Sequence, residues 1–394
     1  MSDEFPGGAK GRRKFLQAIG KGSLGAMLGG VLTGKSLAVE LREEAEIWKP
    51  RSKRKIRVGI AGYGERMFGA RLGIQDHPNV EIVAVTDLDP VRRKALMKAV
   101  RCSNCYESLE LMVKDRRIEA IFVATDAPSH ARHSIEALNH GKHVLCSAPA
   151  VFGSLEDAEK LAQAVVRSGR KYMMAETSCF RPDCHAMRTI YRAGGFGKIV
   201  YSEGEDHHYT AKPIDSHRDW RIALPPMWSP TRSTAYYVGV TGKRFTTVSC
   251  LGTKGRFPEY KPGKNSYENP FADELALFET SEGGSSRMLK GRSVQGHVQK
   301  AGRVFGEMGR MEGMTYHGAL RDLPDVSRPA LPPEISGLGP EGSLLHEFVM
   351  SILEDREPLV NVYEALAMTV PGIVAHESAL KGGERLRIPQ FDPA

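Results

Sequence analysis

Short apolar runs alternate with amphipathic stretches along the chain from residue 56 onward. The apolar runs are typical of strands buried on both faces, and they lie at 56–62, 81–87, 119–126, 143–146 and 171–176. Stretches with helical periodicity separate them, at about 66–76, from 90, near 108–115, at 129–141 and at 154–169. Strands and helices that alternate at this spacing predict a doubly wound parallel sheet.

The pattern changes after a further predicted helix at about 181–193. Long runs of alternating apolar and polar residues follow, at 198–209, 245–252, 274–280, 285–293 and 303–313. Two helices are predicted at 342–355 and 362–380, and the Pro- and Gly-rich stretch 323–340 is typical of a surface loop. This half therefore predicts an α+β domain, with a mostly antiparallel sheet and helices packed on one face.

The overall composition is that of a two-domain globular protein. The chain has 394 residues, of which 41% are apolar and 26% charged, and it contains no run of eighteen apolar residues. A membrane-spanning bundle is therefore excluded. The net charge is +8, and six basic and two acidic residues among the first 38 account for +4 of it. The basic cluster 51–55 lacks interleaved aromatic residues, so we interpret it as a solvated linker and expect no nucleic-acid partner.

The first 38 residues resemble an export signal. Arg12-Arg13 precedes Phe15-Leu16, a weakly apolar Gly-rich segment follows, and Ser36-Leu37-Ala38 offers small residues for cleavage. The alternative is an N-terminal amphipathic helix with a chance arginine pair. We expect a twin-arginine signal at 1–38 that is removed, a linker at 39–54, a periplasmic or extracytoplasmic protein, and no stable membrane insertion.

The six cysteines do not indicate a metal site. Cys102 and Cys105 form a CxxC pair, but no second CxxC or histidine pair stands at zinc spacing. An exported protein could oxidise this pair. We interpret both residues as unpaired thiols near a helix end and expect no metal.

The segment after the first strand is typical of dinucleotide binding. The turn Gly62-Tyr63-Gly64 opens a helix, where backbone N–H groups can approach a diphosphate. Met67 occupies the position of the third glycine of this motif. Asp87 ends the second strand, where a carboxylate binds the ribose 2′-hydroxyl and repels a 2′-phosphate, so NAD is favoured over NADP. The alternative role for Asp87 is a helix cap before Pro90.

Further residues are assigned to the same cofactor site. Thr125 and Ala127 close the third strand, where the backbone can lie against the nicotinamide ribose. The rest of the predicted set is Arg66, His130, Ser147 and Ala148.

Several segments, in order, resemble the glucose–fructose oxidoreductase/inositol dehydrogenase (Gfo/Idh/MocA) family. They are "VGIAGYG", "VTDLDP", residues 118–146, "SLEDAEKLAQAV" and "FGKIVYSEGE". The resemblance covers about 55–385 and implies a Rossmann domain at 55–176 and a domain with a large open sheet at 177–385, followed by a tail at 386–394. It also implies NAD(P)-dependent redox chemistry at a sugar or polyol hydroxyl, and association through the open sheet into a homo-oligomer.

The chain departs from the family pattern at the residues that move protons. The family's Glu-Lys-Pro turn reads Ser147-Ala148-Pro149 here, so its lysine matches Ala148. Its aspartate and histidine match Trp228 and Arg232. On this resemblance the usual acid/base trio is absent.

Three residues are candidates to replace that trio. Glu176 ends the fifth parallel strand, where catalytic groups collect in such sheets, or it caps a helix or forms a salt bridge. His208 lies on a long strand with its side chain opposite to those of His207 and Tyr209, although one of the two histidines can simply face solvent. Arg232 stays protonated, so it can bind or polarise an oxygen, or only pair with a carboxylate.

We therefore predict an NAD(H)-dependent oxidoreductase that acts on a hydroxyl of a sugar, polyol or glycoside. Export favours a tightly bound NAD and a redox-neutral cycle, because little free NAD exists outside the cytoplasm. One alternative is an NAD-dependent glycosidase. The other is a non-catalytic carbohydrate-binding or scaffold protein that keeps the fold.

Overall fold

The computed structural model describes residues 36–38, 48–64, 67–209, 216–295 and 300–393. Most of the predicted export signal, part of the linker and the predicted cofactor residue Arg66 lie outside these residues. Ser36–Ala38 form a short strand, β1. In the described ranges, no helix combines the length and the apolar character needed to cross a bilayer.

The first sheet confirms the predicted parallel architecture. Its six strands are all parallel and follow the order β4-β3-β2-β5-β6-β7. The strands Ala120–Val123 and Tyr172–Ala175 are buried throughout, which explains their continuous apolar runs. The bounds are β2 (Ile56–Ala61), β3 (Val80–Thr86), β4 (Cys105–Tyr106), β5 (Ala120–Val123), β6 (His143–Ser147) and β7 (Tyr172–Ala175).

The helices of this half lie where the periodicity predicts them, with one correction. The helix predicted at 66–76 is shorter, because Gly73 adopts φ of 87° and a 3₁₀ turn at Ile74–Asp76 follows. Asp89 caps the second helix by accepting the N–H groups of Val91 and Arg92. The bounds are α1 (Phe68–Arg71), α2 (Pro90–Ala99), α3 (Leu109–Met112), α4 (His130–Asn139) and α5 (Leu155–Ser168).

The second sheet has nine strands in the order β1-β14-β13-β12-β8-β11-β10-β9-β15. All neighbouring pairs are antiparallel except β8 and β11, which run parallel. The predicted α+β half is therefore confirmed. The bounds are β8 (Ile199–His207), β9 (Phe245–Lys254), β10 (Phe271–Thr280), β11 (Ser285–Gly291), β12 (Lys300–Gly306), β13 (Gly309–Glu312), β14 (Thr315–Gly318) and β15 (Leu386–Arg387).

Helices cover one face of this sheet, which we call the inner face. Gly204 on β8 lies so close to the helix Thr231–Thr234 that a Cβ would overlap the Ser233 carbonyl oxygen. The Pro- and Gly-rich segment predicted as a loop contains one helical turn. The bounds are α6 (Pro182–Arg192), α7 (Thr231–Thr234), α8 (Val238–Thr241), α9 (Pro333–Ser336), α10 (Pro340–Leu353) and α11 (Val362–Leu380).

Candidate functional site

The turn after β2 has the geometry of a diphosphate-binding turn. Gly62 and Gly64 adopt φ of 96° and 70°, which glycine tolerates without strain. A Cβ on Gly62 would lie 2.6 Å from the Ala124 carbonyl oxygen. The N–H of Tyr63 donates to Asp87 Oδ2 at 2.8 Å, so the carboxylate at the end of β3 lies beside the turn.

Gly69 makes the close contact between this turn and helix α1. Met67, at the position of the motif's third glycine, is 51% exposed and has φ of 56°. A Cβ on Gly69 would overlap the Gly62 carbonyl oxygen. Gly69 therefore provides the tight packing that the third glycine provides in such motifs.

The buried ring of His130 connects the ends of β5 and β6. Its Nε2 lies 3.1 Å from the Thr125 carbonyl oxygen and its Nδ1 2.7 Å from that of Pro149. Burial lowers the pKa of His130, although both carbonyls oppose the shift. Ala127 is 4% exposed beneath an apolar cluster. Both residues thus help to hold the turns at these strand ends, and their assignment to the cofactor site stays a prediction.

Ser147 and Ala148 lie at the end of β6, in the turn that carries a lysine in the resembled family. The Ser147 hydroxyl is buried and has no hydrogen-bond partner among the described residues. Ala148 is half-buried and packs against the core. The turn thus offers one hydroxyl to a ligand and no group that titrates near neutral pH.

The Glu176 carboxylate is buried and hydrogen-bonded within the protein. Glu176 is 2% exposed. One carboxylate oxygen accepts the N–H of Ser178 at 2.9 Å and the other accepts the Thr231 hydroxyl at 2.5 Å. Since both oxygens are engaged away from solvent, the structure favours the alternative of a cap. Glu176 anchors helix α7 to the end of β7 and so positions Arg232.

Arg232 lies above a buried ion pair that sequence reasoning missed. Its Nη1 is 3.6 Å from Asp206 Oδ2, and 42% of its side chain is exposed. The same oxygen accepts a hydrogen bond from Lys290 Nζ, and Asp206 and Lys290 are 0% and 5% exposed. Parallel pairing of β8 and β11 places Asp206 opposite Lys290. Arg232 is thus the exposed member of a three-residue charged group.

Lys290 is the member of this group that can change charge near neutral pH. Burial lowers its pKa to about 8; Asp206 opposes this shift, while Arg232 and Arg292 add to it. Period-two alternation in "SSRMLKG" could have placed Lys290 beside Met288 on the inner face. No local pattern could have paired it with Asp206, because 84 positions separate them.

The ion pair belongs to a row of charged residues across the inner face. Glu274 on β10 lies opposite Lys290. Its Oε2 accepts the N–H of Met227 at 2.7 Å, and its Oε1 lies 2.6 Å from His376 Nδ1. The next inner-face residues on these strands, on one side of the row, are small or apolar: Gly204, Met288 and Ala276. The charged row therefore lies where the apolar core ends.

Aromatic residues connect this row to the first sheet. Trp228 packs on Gly153, where a Cβ would lie 2.6 Å from the indole ring. Tyr267 packs edge-on to Trp228, with ring centroids 5.2 Å apart. Burial raises the pKa of Tyr267, and the charges of Arg292 and Asp126 also act on it. Because Arg292 follows β11 and Asp126 follows β5, strand ends of both sheets meet around Tyr267.

His208 lies at the same end of the second sheet. Its backbone N–H donates to the Gly291 carbonyl oxygen at 2.9 Å, which holds His208 beside the end of β11. Of the three predicted catalytic residues, the structure brings Arg232 and His208 to the strand ends near Lys290. Glu176 stays buried behind helix α7.

Residues 56–176 match the profile of an oxidoreductase family with an NAD-binding Rossmann fold, GFO_IDH_MocA. A glycosyl hydrolase family 109 protein of Porphyromonas gingivalis is 30% identical over 164 residues, which are 39% of this chain and 34% of that protein. A second one, from Solibacter usitatus, is 23% identical over 392 residues, covering 85% of this chain and 88% of that protein. The match spans about a third of the first relative's length.

Solved structures share the fold across both halves. The apo scyllo-inositol dehydrogenase from Lactobacillus casei has a TM-score of 0.69 and 16% identity, covering 85% of this chain and 99% of that one. Levoglucosan dehydrogenase in complex with NADH and levoglucosan has a TM-score of 0.71 and 17% identity, covering 86% and 100%. At these identities the likeness shows the fold alone.

Proposed function

Because the chain belongs to the Gfo/Idh/MocA oxidoreductase family, we propose that it is an NAD(H)-dependent oxidoreductase acting on a hydroxyl of a sugar, polyol or glycoside. The observation that carries the proposal is the contact of the Asp87 carboxylate with the glycine turn at Tyr63. The similar folds of scyllo-inositol dehydrogenase and levoglucosan dehydrogenase support a polyhydroxylated substrate.

We call the region where the strand ends of the two sheets meet the cleft, and its residues fit NAD. The N–H groups of the turn at 62–64 would bind the diphosphate, and Asp87 would bind the adenosine ribose and disfavour a 2′-phosphate. The buried Ser147 hydroxyl supplies a further hydrogen bond that no described residue uses. Bound NAD would supply a hydride acceptor at its nicotinamide ring.

The protein must then remove the hydroxyl proton of the substrate. Arg232 binds and polarises the hydroxyl oxygen, because its guanidinium stays protonated. The Asp206–Lys290 pair takes up the proton, since the neutral amine of Lys290 is populated near pH 8. In this proposal the pair replaces the family's catalytic lysine, whose position is occupied here by Ala148.

A redox-neutral glycosidase is the second candidate, and the glycosyl hydrolase family 109 relatives favour it. Oxidation of a ring hydroxyl to a ketone acidifies the neighbouring C–H bond. A base can then remove that proton while the leaving group departs from the adjacent carbon. Water would then add at the carbon that lost the leaving group, and the ketone would be reduced back to a hydroxyl, so hydrolysis would proceed without net oxidation.

Export and assembly are also part of the proposal. The sequence of residues 1–38 supports twin-arginine export, which would carry the folded protein with NAD tightly bound. The open outer face of the second sheet supports a homo-oligomer.

The experiment that tests this function is cofactor analysis followed by a substrate screen. We expect the purified full-length protein to release NAD on denaturation. Free sugars and polyols that generate net NADH would support the oxidoreductase. Aryl glycosides that are cleaved without net NADH would support the glycosidase.

The non-catalytic alternative predicts different results. A carbohydrate-binding or scaffold protein would release no NAD, would show no binding of added NAD by calorimetry, and would turn over no substrate. That combination would overturn the proposed function.

A further inference from the structure

A cavity, which we call the arginine cavity, is lined by none of the residues assigned above to the cofactor site or to the charged row. It lies between helices α6, α8 and α10 and has a volume of about 580 Å³. Small-molecule pockets commonly have volumes of about 300–1,000 Å³, so this space is large enough for an organic ligand.

Among the described residues, three guanidinium groups of this cavity have no carboxylate counter-ion. Arg188 and Arg192 on α6 and Arg328 in the loop before α9 all line it. In the described residues, none of the three forms an ion pair with a carboxylate. The cavity therefore carries up to three uncompensated positive charges.

The carboxylates that line the cavity are already paired with other cations. Glu347 accepts both Nη groups of Arg356, at 2.7 and 2.8 Å. Glu357 lies 3.2 Å from Lys171 Nζ, outside the cavity lining. Glu364, the third, is 3.0 Å from Arg244. These pairs leave the three arginines without compensation.

The guanidinium groups of Arg188 and Arg328 are wholly or partly removed from water. Arg188 is 6% exposed, and its guanidinium meets only neutral partners: the Gly239 and Cys179 carbonyl oxygens, each at 3.0 Å, and His185 Nδ1 at 3.5 Å. Nη1 of Arg328 and the hydroxyl of Ser327 are buried with no hydrogen-bond partner among the described residues. Buried charges and donors are usually satisfied, so Arg328 Nη1 and the Ser327 hydroxyl indicate a missing hydrogen-bond partner, and Arg188 lacks a counter-charge rather than an acceptor.

His185 lies on the same cavity, with its Nδ1 3.5 Å from Arg188 Nη2. Burial, and then the charge of Arg188, lower the pKa of His185 to about 4, and Arg328 and Arg192 act in the same direction. His185 is therefore neutral at physiological pH. The positive charge of the cavity comes from the arginines alone.

The geometry points to a binding site for a small organic anion with at least two negative charges, held by Arg188, Arg192 and Arg328. Guanidinium groups bind carboxylates and phosphates through charge-assisted, often bidentate hydrogen bonds. The volume exceeds what one phosphate needs, so the anionic groups sit on a larger molecule. A phosphate ester and a polycarboxylate share this chemistry.

Citrate and inorganic phosphate serve as the two probes, each compared with sodium chloride at matched ionic strength. We expect either or both to raise the Tm of the full-length protein, with citrate alone indicating a polycarboxylate and phosphate alone a phosphate ester. In calorimetry, Arg328→Gln and Arg192→Gln should each lower the affinity for the probe that raises Tm by at least tenfold. Arg116→Gln, which removes an exposed arginine elsewhere, should bind like the wild type.

Stability without a probe provides the second readout. Since the three cations repel one another, Arg328→Gln should be at least as stable as the wild type in chloride. If this variant is less stable there, the guanidinium is paired within the chain and the proposal is overturned. It is also overturned if neither probe raises Tm above the chloride control, or if Arg328→Gln and the wild type bind equally.

Discussion

At the scale of single residues, the buried amine of Lys290 sets the pH at which the cleft can accept a proton. Because its pKa is lowered to about 8, kcat/KM for the substrate found in the screen should rise with pH through that value. Lys290→Arg stays protonated, so the rise should disappear and turnover should fall by about 100-fold or more. Rates measured from about pH 6 to about pH 10 check this.

NAD affinity is the control for this variant and should be unchanged in calorimetry. A pH profile that Lys290→Arg shares with the wild type would place the proton acceptor elsewhere. Lys290→Ala is a weaker test, because it removes the hydrogen bond that Lys290 donates to the buried Asp206 carboxylate and can therefore destabilise the fold.

Asp87 is expected to decide cofactor choice. In Asp87→Ala the ribose hydroxyl of NAD loses its hydrogen-bond acceptor, so NAD affinity should fall about tenfold or more, and a tenfold loss is about 1.4 kcal/mol. The 2′-phosphate of NADP is no longer repelled by the carboxylate, so NADP should bind better relative to NAD. Calorimetric titration with both cofactors checks this. Asp89→Ala is the matched control: Asp89 caps α2, so its loss should cost about 1 kcal/mol of stability and leave cofactor choice unchanged. A constant preference in Asp87→Ala would contradict the ribose contact.

At the scale of elements, the junction of β2 and α1 depends on Gly69. Gly69→Ala would force its Cβ against the Gly62 carbonyl, so we expect about 1–3 kcal/mol of destabilisation and weaker NAD binding. Urea unfolding and calorimetry measure the two effects. Gly337→Ala, with φ of −71° and nothing within 4 Å of its Cβ, should change neither. If Gly69→Ala is destabilised but binds NAD with normal affinity, the contact between Gly69 and Gly62 does not shape the cofactor site.

Cleavage of the predicted export signal would remove strand β1 from the edge of the second sheet. Ser36–Ala38 pair with Thr315–His317 on β14, yet the predicted signal ends at Ala38. If processing removes residues 1–38, the exported protein should lack β1 and β14 should become the edge of the sheet. Intact mass and N-terminal sequencing of protein recovered from the periplasm check this. A mature chain that retains residues 1–35 would contradict the signal, and replacing Arg12-Arg13 with lysines should block export.

At the scale of the whole molecule, the outer face of the second sheet is the feature that favours assembly. Leu251, Leu275 and Leu277 are 63%, 37% and 56% exposed, and register places Leu251 opposite Leu275. Clustered exposed leucines commonly mark an interface. We expect an oligomer in light scattering, and Leu251→Asp with Leu277→Asp should shift it towards monomer. Leu380→Asp, a similarly exposed site on α11, should not. A monomeric wild type would contradict the proposal.

The sequence by itself predicted most of the elements and the type of both sheets. Buried parallel strands such as β5 need continuous apolar runs, and two-faced strands such as β10 need alternation, so both leave local patterns. The glycine turn and Asp87 were also predictable, because a tight turn and a strand end have local signatures. Gly69 was not, because its role depends on where the Gly62 carbonyl points after folding.

Only the tertiary structure decided which side chains share the cleft. Glu176 looked catalytic at a strand end, but packing of α7 closes both its oxygens against Ser178 and Thr231. Lys290 gave no local signal, and the register of β8 with β11 places it on Asp206. Periodicity reports the face of a residue and not its partner. A lowered lysine pKa arises from burial and neighbouring charges, which exist only once distant strands have paired.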